Sequence, residues 1–532
     1  MPPISRRSFL ALSAAGAVGA VVTACSGSTS TPGPATGTAT TARPAPKLSG
    51  PAFTLGVASG DPLPERVVLW TRLAPKPLEG GGMPDADVDL TWEVASDEGF
   101  ATIVRSGTTT TSKRWGHSAH VDVDGLTPDT WYWYRFRLGD EASPVGRTRT
   151  APKAGADVGP DGVRFGFASC QDWTDGYYTA YPHLVDEDLD LMVWLGDYIY
   201  ESGIGGDASV RKHNSASVVT LDDYRNRYAL YTGDPGLQAA RAKQPWVVLW
   251  DDHEVENNYA DESSNKGGDP KTFLERRAAA YQAWWENQPV RLDPPTGADL
   301  KIYRTLEWGS LANFFVLDER QYRSPQICGT QLGVGRCDAQ DDPERTMLGT
   351  EQREWFFGEL DKTKARWNVI ANEVILARMP LALSDPASFN VDQWDGYTVE
   401  RQAVVEKLAS RTDLNALVIT GDIHSFGMAD LKTSWDDSAP AVAAEFVGGS
   451  VTSAFLAPGA DVKALLAQAT EIRYVNGEQH GYAVMHLTAD EARCRFRGVD
   501  TVTAATSPIT TIAEFQVTPG NAAARIIDPP TG

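Results

Sequence analysis

From about residue 160 onward, short apolar runs alternate with segments in which apolar residues recur every three or four positions. The short runs have the length of buried strands, whereas the longer segments are rich in good helix formers. This alternation predicts an α/β architecture. The predicted strands are VRFGFASC (163–170), LDLMVWLGD (189–197), PWVVLWDD (245–252), RWNVIANEV (366–374) and LNALVITGD (414–422). The predicted helices cover residues 269–288, 349–365 and 397–410.

Residues 51 to about 155 show a second pattern, in which short runs rich in Val, Thr, Trp and Tyr are separated by turn residues. Such spacing is typical of a β-sandwich. The segment VDGLTPDTWYWYRFRLG resembles the late strands of a fibronectin-type sandwich, in which a Leu-Thr-Pro turn precedes a Tyr-rich strand. We therefore expect a fibronectin- or immunoglobulin-like β-sandwich over residues 51–155, an α/β domain over residues 160–515 and a C-terminal tail over residues 516–532.

Residues 1–25 have the pattern of an export signal. Arg6 and Arg7 form a twin arginine, and the apolar run that follows is too short to span a bilayer comfortably. The run ends in VTAC, which resembles a lipobox with Cys25 as the lipid-bearing residue; ordinary signal-peptidase cleavage nearby is the alternative. Residues 26–50 are mainly Ser, Thr, Gly and Pro, which predicts a flexible tether.

These features predict export by the twin-arginine (Tat) machinery, a route that carries folded proteins, to the cell surface or the periplasm. The protein is expected to contact the membrane only through a lipid on Cys25. If cleavage leaves no lipid, the protein is expected to be secreted.

The net charge of the chain limits the classes of ligand that it is expected to bind. The sequence has 48 Lys and Arg against 70 Asp and Glu, a formal net charge of −22. This argues against specific nucleic-acid binding, because phosphate backbones bind basic surfaces. A small phosphorylated substrate remains compatible, since bound metal ions can reverse the local sign of the charge.

The five cysteines have different predicted roles, and Cys25 is assigned to lipid. Cys328 and Cys337 flank a Gly-rich loop that is short enough to close with a disulfide in an oxidising compartment. Cys494 lies in a strand-like segment and is expected to be a buried structural thiol. Cys170, at the end of a predicted strand, is left without a structural role.

Metal-capable side chains follow four of the predicted strands. Each motif alone has an ordinary explanation, such as a turn or a solvated acidic loop, but the carboxyl ends of strands in α/β proteins converge on one crevice. Carboxylates suit hard cations, whereas a Cys thiolate with a Tyr phenolate points to ferric iron. One Asp that bridges two metals would hold them a few ångströms apart, as in two-metal hydrolases. The strand-end residues are Cys170, Asp197, Tyr200, Asp251, Asp252, His253, Glu254, Asn257, Asn258, Asp422 and His424.

The motifs LGDYIY, WDDHEVENN and TGDIHS, together with the strand-end SCQ, resemble the alkaline phosphatase D group of the calcineurin-like metallophosphoesterases. That group also includes phospholipase-D-like phosphodiesterases. The resemblance spans roughly residues 51–515, because FTLGVASGDP resembles the N-terminal part of the family. It implies a metallophosphoesterase-type two-sheet sandwich flanked by helices, preceded by the β-sandwich domain.

The resemblance also implies one ferric ion and one or two calcium ions. The residues that it assigns to iron are Cys170, Asp197, Tyr200 and His424. Asp197 would bridge to a second metal, which Asp252 and Asp422 would bind.

The chain departs from the wider superfamily at two motifs. It has Asp-Asp-His-Glu at 251–254 in place of Gly-Asn-His-Glu, and Gly-Asp-Ile-His at 421–424 in place of Gly-His-x-His. Carboxylates in place of neutral ligands favour calcium over zinc at the second site. The departures leave Asn257 or Asn258 as an alternative ligand to Asp252.

The implied mechanism is in-line attack on phosphorus by a metal-bound hydroxide. His253 is the candidate for protonating the leaving oxygen or steadying the phosphate, and an Asp-oriented structural histidine is the alternative. Arg378 follows a strand and is a candidate phosphate contact, with packing at the core edge as the alternative.

The expected function is hydrolysis of small phosphate esters, as a phosphomonoesterase, a phosphodiesterase or both. A phospholipase-D-like enzyme that acts on lipid head groups is the first alternative. The second is a non-catalytic cell-surface binding protein, in which the β domain binds the ligand and the α/β domain is structural.

Overall fold

The computed structural model describes residues 43–328, 334–335, 337–382, 388–455 and 469–527. The predicted signal sequence, Cys25 and the tether up to residue 42 lie outside the described residues. Within the described part, no helix is both long enough and apolar enough to cross a membrane.

The N-terminal part contains β1 (Val57–Leu63), β2 (Arg66–Arg72), β3 (Val88–Ala95), β4 (Ile103–Thr111), β5 (Ser118–Val123), β6 (Trp131–Leu138), β7 (Glu141–Ala142) and β8 (Gly146–Arg149). The chain continues with β9 (Val163–Ala168), α1 (Ala180–Asp186), β10 (Leu191–Leu195), α2 (Leu221–Thr232), α3 (Pro235–Lys243), β11 (Trp246–Leu249), α4 (Pro270–Asn287), β12 (Arg304–Trp308) and β13 (Ala312–Val316).

The next elements are β14 (Val334–Gly335), α5 (Gly349–Lys362), β15 (Trp367–Asn372), β16 (Pro380–Ala382), β17 (Ser388–Asn390), α6 (Thr398–Ala409) and β18 (Ala416–Thr420). The last strands are β19 (Phe426–Lys432), β20 (Ala441–Gly448), β21 (Ile472–Asn476), β22 (His480–Leu487), β23 (Ala492–Val499), β24 (Ile509–Thr518) and β25 (Asn521–Ile527).

The predicted strands and helices of the α/β part are present. The five apolar runs form β9, β10, β11, β15 and β18, and the three periodic segments form α4, α5 and α6. The start of α4 shows why such a helix begins where it does. The Asp269 carboxylate accepts the N–H of Lys271, and Pro270 occupies the first turn, where its missing N–H costs nothing.

Two large sheets pack face to face. One has ten strands in the order β25-β24-β23-β22-β9-β10-β11-β1-β2-β5, and the other has seven in the order β12-β13-β15-β18-β20-β19-β21. The neighbours β9, β10 and β11 are parallel, as are β13, β15, β18 and β20. Their facing side chains form one core, in which the rings of Phe165 and Phe314 lie 5.1 Å apart.

Helices cover the outer faces of this sandwich. Phe356 and Leu360 of α5 and Leu408 of α6 pack against Ile370 and Val418 on the outer side of the seven-stranded sheet. Residues of α1, α3 and α4 join the core of the ten-stranded sheet. The predicted two-sheet sandwich flanked by helices is confirmed.

The N-terminal β-sandwich is also present, but it shares a layer with the α/β part. Its outer layer is a five-stranded sheet of β3, β4, β6, β7 and β8, and its inner layer is β1, β2 and β5 of the ten-stranded sheet. The sheet is continuous across the predicted boundary near residue 155 because β1 pairs in parallel with β11 at Gly60 and Trp246. A Cβ at Gly60 would lie 2.6 Å from the Trp246 carbonyl oxygen, so this junction requires glycine.

Residues 516–527 correct the predicted tail. They complete β24 and form β25, which pair as an antiparallel hairpin at the end of the ten-stranded sheet. Pro519 and Gly520 form the turn, and Gly520 has φ +79°. A Pro-Gly pair between apolar-alternating segments is a hairpin signal that the sequence analysis did not use.

Four of the five cysteines lie in the part of the chain that the structure describes. Cys328 and Cys337 form a disulfide with a Cα–Cα distance of 5.8 Å. Cys494 is a buried free thiol on β23, as predicted. Cys170 is also free and buried, and it lies beyond the end of β9.

Candidate metal centre

The candidate ligands lie where β9, β10, β11 and β18 end, at one edge of the two packed sheets. The loops touch directly: the N–H of Cys170 donates to the carbonyl of Gly196 at 3.2 Å. A Cβ at Gly421 would lie 2.8 Å from both the Leu195 carbonyl oxygen and the Ser169 side chain. Glycine at 421 therefore lets the loop after β18, in one sheet, reach the loops of the other.

The backbone at this edge is strained. Twelve described non-glycine residues have positive φ, and five of them belong to the candidate site. Non-glycine residues rarely adopt this conformation, and it persists where surrounding contacts enforce it, often at functional sites. The N–H of Asp197, for example, donates to Glu254 at 3.0 Å. The five residues, with φ between 52° and 61°, are Cys170, Asp197, Asn258, Asp422 and His424.

The first group of ligand atoms, which we name the thiolate cluster, comprises Cys170, Asp197 and His424, with ligand atoms within 4.8 Å of one another. The Tyr200 hydroxyl joins it, because it donates to Oδ2 of Asp197 at 2.8 Å and lies 3.0 Å from Nε2 of His424. Nδ1 of His424 contacts the carbonyl of Ala454 at 2.8 Å, which orients the ring with Nε2 toward the cluster. The structure therefore brings together all four residues assigned to iron.

In the protein alone, burial disfavours the charged form of each of these donors. Burial and then the Asp197 carboxylate raise the pKa values of Cys170 and Tyr200. Burial also raises the pKa of Asp197, and it lowers the pKa of His424 to about 4. A bound cation would reverse this preference, because it stabilises thiolate, phenolate and carboxylate and binds neutral imidazole. The donor set therefore fits a transition metal.

Two further clusters adjoin the first. Asp197, Asp252 and His253 form the shared cluster, and Asp251, Asp252 and Asp422 form the carboxylate cluster, each with ligand atoms within 4.8 Å of one another. Asp197 thus belongs to two clusters, which is the arrangement expected of a bridging ligand. The all-oxygen donors of the carboxylate cluster fit a hard cation.

The carboxylates of the second site are oriented by hydrogen bonds. Oδ1 of Asp252 accepts the N–H of His253 at 2.9 Å, and Oδ2 accepts the N–H of Asn258 at 2.5 Å. Oδ2 of Asp422 accepts from the Gln393 amide at 2.5 Å. Burial raises the pKa of Asp422 to about 6, against the effect of a nearby arginine.

His253 is paired with a carboxylate that the sequence analysis did not identify. Nδ1 of His253 lies 2.6 Å from Oε2 of Glu201, and the imidazole packs on the Tyr200 ring with centroids 4.1 Å apart. Burial opposes protonation of His253, but Asp252, Glu201 and Asp197 together raise its pKa well above the usual value. Burial raises the pKa of Glu201, but His253, the N–H of Asn257 and Arg276 together lower it to about 2. These carboxylates favour the protonated form of the imidazole.

The two asparagines contribute through their main chains. The N–H of Asn257 donates to Glu201 at 3.0 Å, and that of Asn258 donates to Asp252. A ligand role for either side chain stays a prediction. Arg378 stacks over the ring of Trp435 at 3.9 Å, and its N–H donates to Glu471 at 2.8 Å. A phosphate contact by Arg378 also stays a prediction.

Three further residues shape the site: Glu254, which is among the strand-end residues of the sequence, and Glu201 and Arg320, which sequence reasoning missed. Glu254 accepts the N–H groups of Asp197 and Asp251, and Glu201 orients His253. Glu201 directly follows the motif LGDYIY, and that position was the available signal for it. Arg320 is fully buried among carboxylates in the segment after β13, and no motif distinguishes it from a surface arginine.

The fold and the ligand clusters together define a metallophosphoesterase. A purple acid phosphatase from yellow lupin (Lupinus luteus) seeds aligns over 87% of this chain and 74% of its own, with a TM-score of 0.54 and 11% identity, which shows a shared fold. Residues 165–496 match the PhoD-like phosphatase family, and residues 37–152 match its N-terminal domain. The chain belongs to this family and is therefore a hydrolase of phosphoric esters.

Two relatives support this membership. Alkaline phosphatase D of Bacillus subtilis (strain 168) is 45% identical over 481 residues, which cover 88% of this chain and 82% of the relative. The solved structure of PhoD has a TM-score of 0.87 and 44% identity, over 92% of this chain and 94% of that one.

Proposed function

We propose that this protein is an exported, iron- and calcium-dependent alkaline phosphatase that acts on small phosphate monoesters, diesters or both. The observation that carries the proposal is the packing of the thiolate cluster against the carboxylate cluster through Asp197 and Asp252. A bound cation would stabilise the charged forms of these buried acids, because burying unpaired charge is costly.

In this proposal Cys170, Asp197, Tyr200 and His424 hold one ferric ion. Asp252 and Asp422 hold calcium, and Asp197 bridges. The support is the donor chemistry of the clusters: thiol, phenol and imidazole on one side and carboxylates on the other. The bound metals would lower the pKa of a water ligand and stabilise negative charge on phosphate oxygens.

His253 is proposed to deliver the proton that the leaving oxygen needs. The carboxylates around it favour the protonated ring, and Glu201 engages Nδ1 so that Nε2 remains for the substrate. Glu201 is itself fixed by the N–H of Asn257. We thus propose that Glu201 orients the catalytic His253. The structural alternative for His253 assumed orientation by an aspartate.

Export is proposed on the sequence alone. Replacing Arg6 and Arg7 by Lys should leave the protein in the cytoplasm, because a twin-arginine signal requires both arginines. Cys25→Ala should release an active protein from the membrane. A Cys25→Ala variant that stays membrane-bound would contradict the lipobox assignment.

The activity is tested with purified, metal-loaded protein on p-nitrophenyl phosphate, bis-p-nitrophenyl phosphate and phosphatidylcholine. We expect turnover of at least one of the two p-nitrophenyl esters and a slower reaction with the lipid. Turnover of the lipid alone would favour the phospholipase-D-like alternative. An absence of turnover on all three would contradict the proposal and favour a binding protein.

A further inference from the structure

Arg320 is a fully buried arginine surrounded by four carboxylates. Its Nε–H donates to Oδ1 of Asp251, and its Nη1 lies 2.8 Å from Oδ2 of Asp392. Its Nη2 lies 3.0 Å from Oδ1 of Asp422 and 3.7 Å from Oδ1 of Asp252. One guanidinium therefore contacts every member of the carboxylate cluster.

These contacts join segments that are distant in sequence. Asp251 and Asp252 follow β11, Asp392 precedes α6 and Asp422 follows β18. A planar guanidinium has five donors in a fixed fork and can therefore set the relative position of several carboxylates. The ammonium group of a lysine, on a flexible stem, cannot do this. Each carboxylate oxygen has more than one lone pair, so an oxygen that accepts from Arg320 can still bind a metal ion.

We propose that Arg320 is a positioning residue for the second metal ion. Arg320 donates hydrogen bonds to Asp251 and Asp392 and fixes the orientation of Asp422. Asp252 and Asp422 can then present their oxygens to one divalent cation. This inference rests on the proposed function, because it assumes that the carboxylate cluster binds calcium. The positive charge of Arg320 also stabilises the carboxylate cluster. Carboxylates within 4.8 Å of one another repel, and a buried cation offsets part of that repulsion.

The chain provides a matched control at Arg323. Arg323 is also fully buried and also binds Asp392, at 2.7 Å. Its other hydrogen bonds go to the carbonyls of Tyr259 and Asp392, outside the carboxylate cluster. Replacing Arg323 therefore removes a buried arginine and an Asp392 contact while leaving the contacts of Asp251, Asp252 and Asp422 in place.

The experiment compares Arg320→Lys and Arg320→Met with Arg323→Lys and Arg323→Met in the exported, iron-loaded protein. Calcium is removed with a chelator, and binding of Ca²⁺, and separately of Mn²⁺, is measured by titration calorimetry. A ferric ion bound by thiolate and phenolate is expected to give a ligand-to-metal charge-transfer band, and this iron absorption band and the iron content are recorded on the same samples. We expect Arg320→Lys to weaken Ca²⁺ binding by about ten- to a hundredfold, while Arg323→Lys stays within about twofold of the wild type. Iron content and the absorption band should not change in either lysine variant.

Arg320→Met leaves four buried carboxylates without this partner and is expected to bind Ca²⁺ more weakly still. If it does not fold, Arg320→Lys decides the question. Unchanged or tighter Ca²⁺ binding in Arg320→Lys, an equal loss in Arg323→Lys, or loss of iron from Arg320→Lys would each overturn the inference. A wild-type protein that binds neither Ca²⁺ nor Mn²⁺ would instead contradict the second metal of the proposed function, and the inference with it.

Discussion

The thiolate cluster and the carboxylate cluster are neighbours built on different principles. The thiolate cluster combines a thiol, an imidazole and a carboxyl group with the Tyr200 hydroxyl, and burial disfavours the charged forms of the thiol and the hydroxyl. The carboxylate cluster has only oxygen donors and includes Arg320 as a permanent cation in contact with all its members. If both clusters bind metal ions as proposed, the first would select an ion by the chemistry of its donors, and the second by their charge and position.

The largest effect is expected at Asp197, which links the two clusters through Asp252. Asp197→Asn should lose both metals and lower kcat/KM by at least about a thousandfold, because the metals supply several kcal/mol of transition-state stabilisation. Elemental analysis and kinetics on p-nitrophenyl phosphate measure both losses, with Asp500→Asn at an exposed position as the control. Full metal content in Asp197→Asn would show that it does not bridge.

Calcium removal should distinguish the contribution of the carboxylate cluster from that of the thiolate cluster. Treatment with a calcium-selective chelator should abolish turnover and leave the iron absorption band, because in the proposed site Cys170, Asp197, Tyr200 and His424 would still hold iron. Turnover should return when Ca²⁺ is added back. Activity that survives complete calcium removal, verified by elemental analysis, would mean that the carboxylate cluster holds a different metal or none.

Replacing Cys170 should have the opposite result, in which iron is affected and calcium binding is retained. Cys170→Ser should shift or bleach the charge-transfer band of the iron, lower its content and reduce activity, while Ca²⁺ binding persists. Cys494→Ser is the matched control, because Cys494 is also a buried free thiol but lies on β23 away from the clusters. Cys494→Ser should affect stability and leave the colour. An unchanged band and iron content in Cys170→Ser would remove Cys170 from the site.

The smallest effect is expected at His253, which is proposed to act on the leaving group rather than on the ions. His253→Ala should slow hydrolysis of an alkyl phosphate by about ten- to a hundredfold more than that of p-nitrophenyl phosphate, because only the poor leaving group needs a proton. Glu201→Gln should change the same ratio in the same direction and by less. Metal content serves as the control.

Two results at His253 would contradict this role. Equal losses on both substrates would assign His253 to phosphate positioning. Loss of a metal from His253→Ala would make it a ligand.

The sequence predicted the strands and their functional ends because both depend on local patterns. Cys170, Asp197, Asp252 and Asp422 each follow an apolar run, and parallel strands bring their carboxyl ends to one edge. The strain at these positions was not predictable, because positive φ at a non-glycine residue is imposed by tertiary contacts.

The missed features depend on long-range contacts. Arg320 becomes part of the site only because Asp251, Asp392 and Asp422 converge on it in the folded chain. The shared layer of the β-sandwich likewise depends on the pairing of β1 with β11, which are almost two hundred residues apart in the printed sequence. Hydrophobic periodicity carries no information about either contact.

The place of β9 in the ten-stranded sheet has a consequence for the order of events in the cell. This strand, which leads to Cys170, pairs on one side with β10 and on the other with β22, at residues 480–487 of 532. The residue of β22 that pairs nearest to Cys170 is Ala483, opposite Phe167, so a nascent chain cannot complete this neighbourhood until residue 483 has left the ribosome. Assembly of the site therefore follows synthesis through residue 483, and the proposed export route, which carries folded proteins, is the kind that suits it.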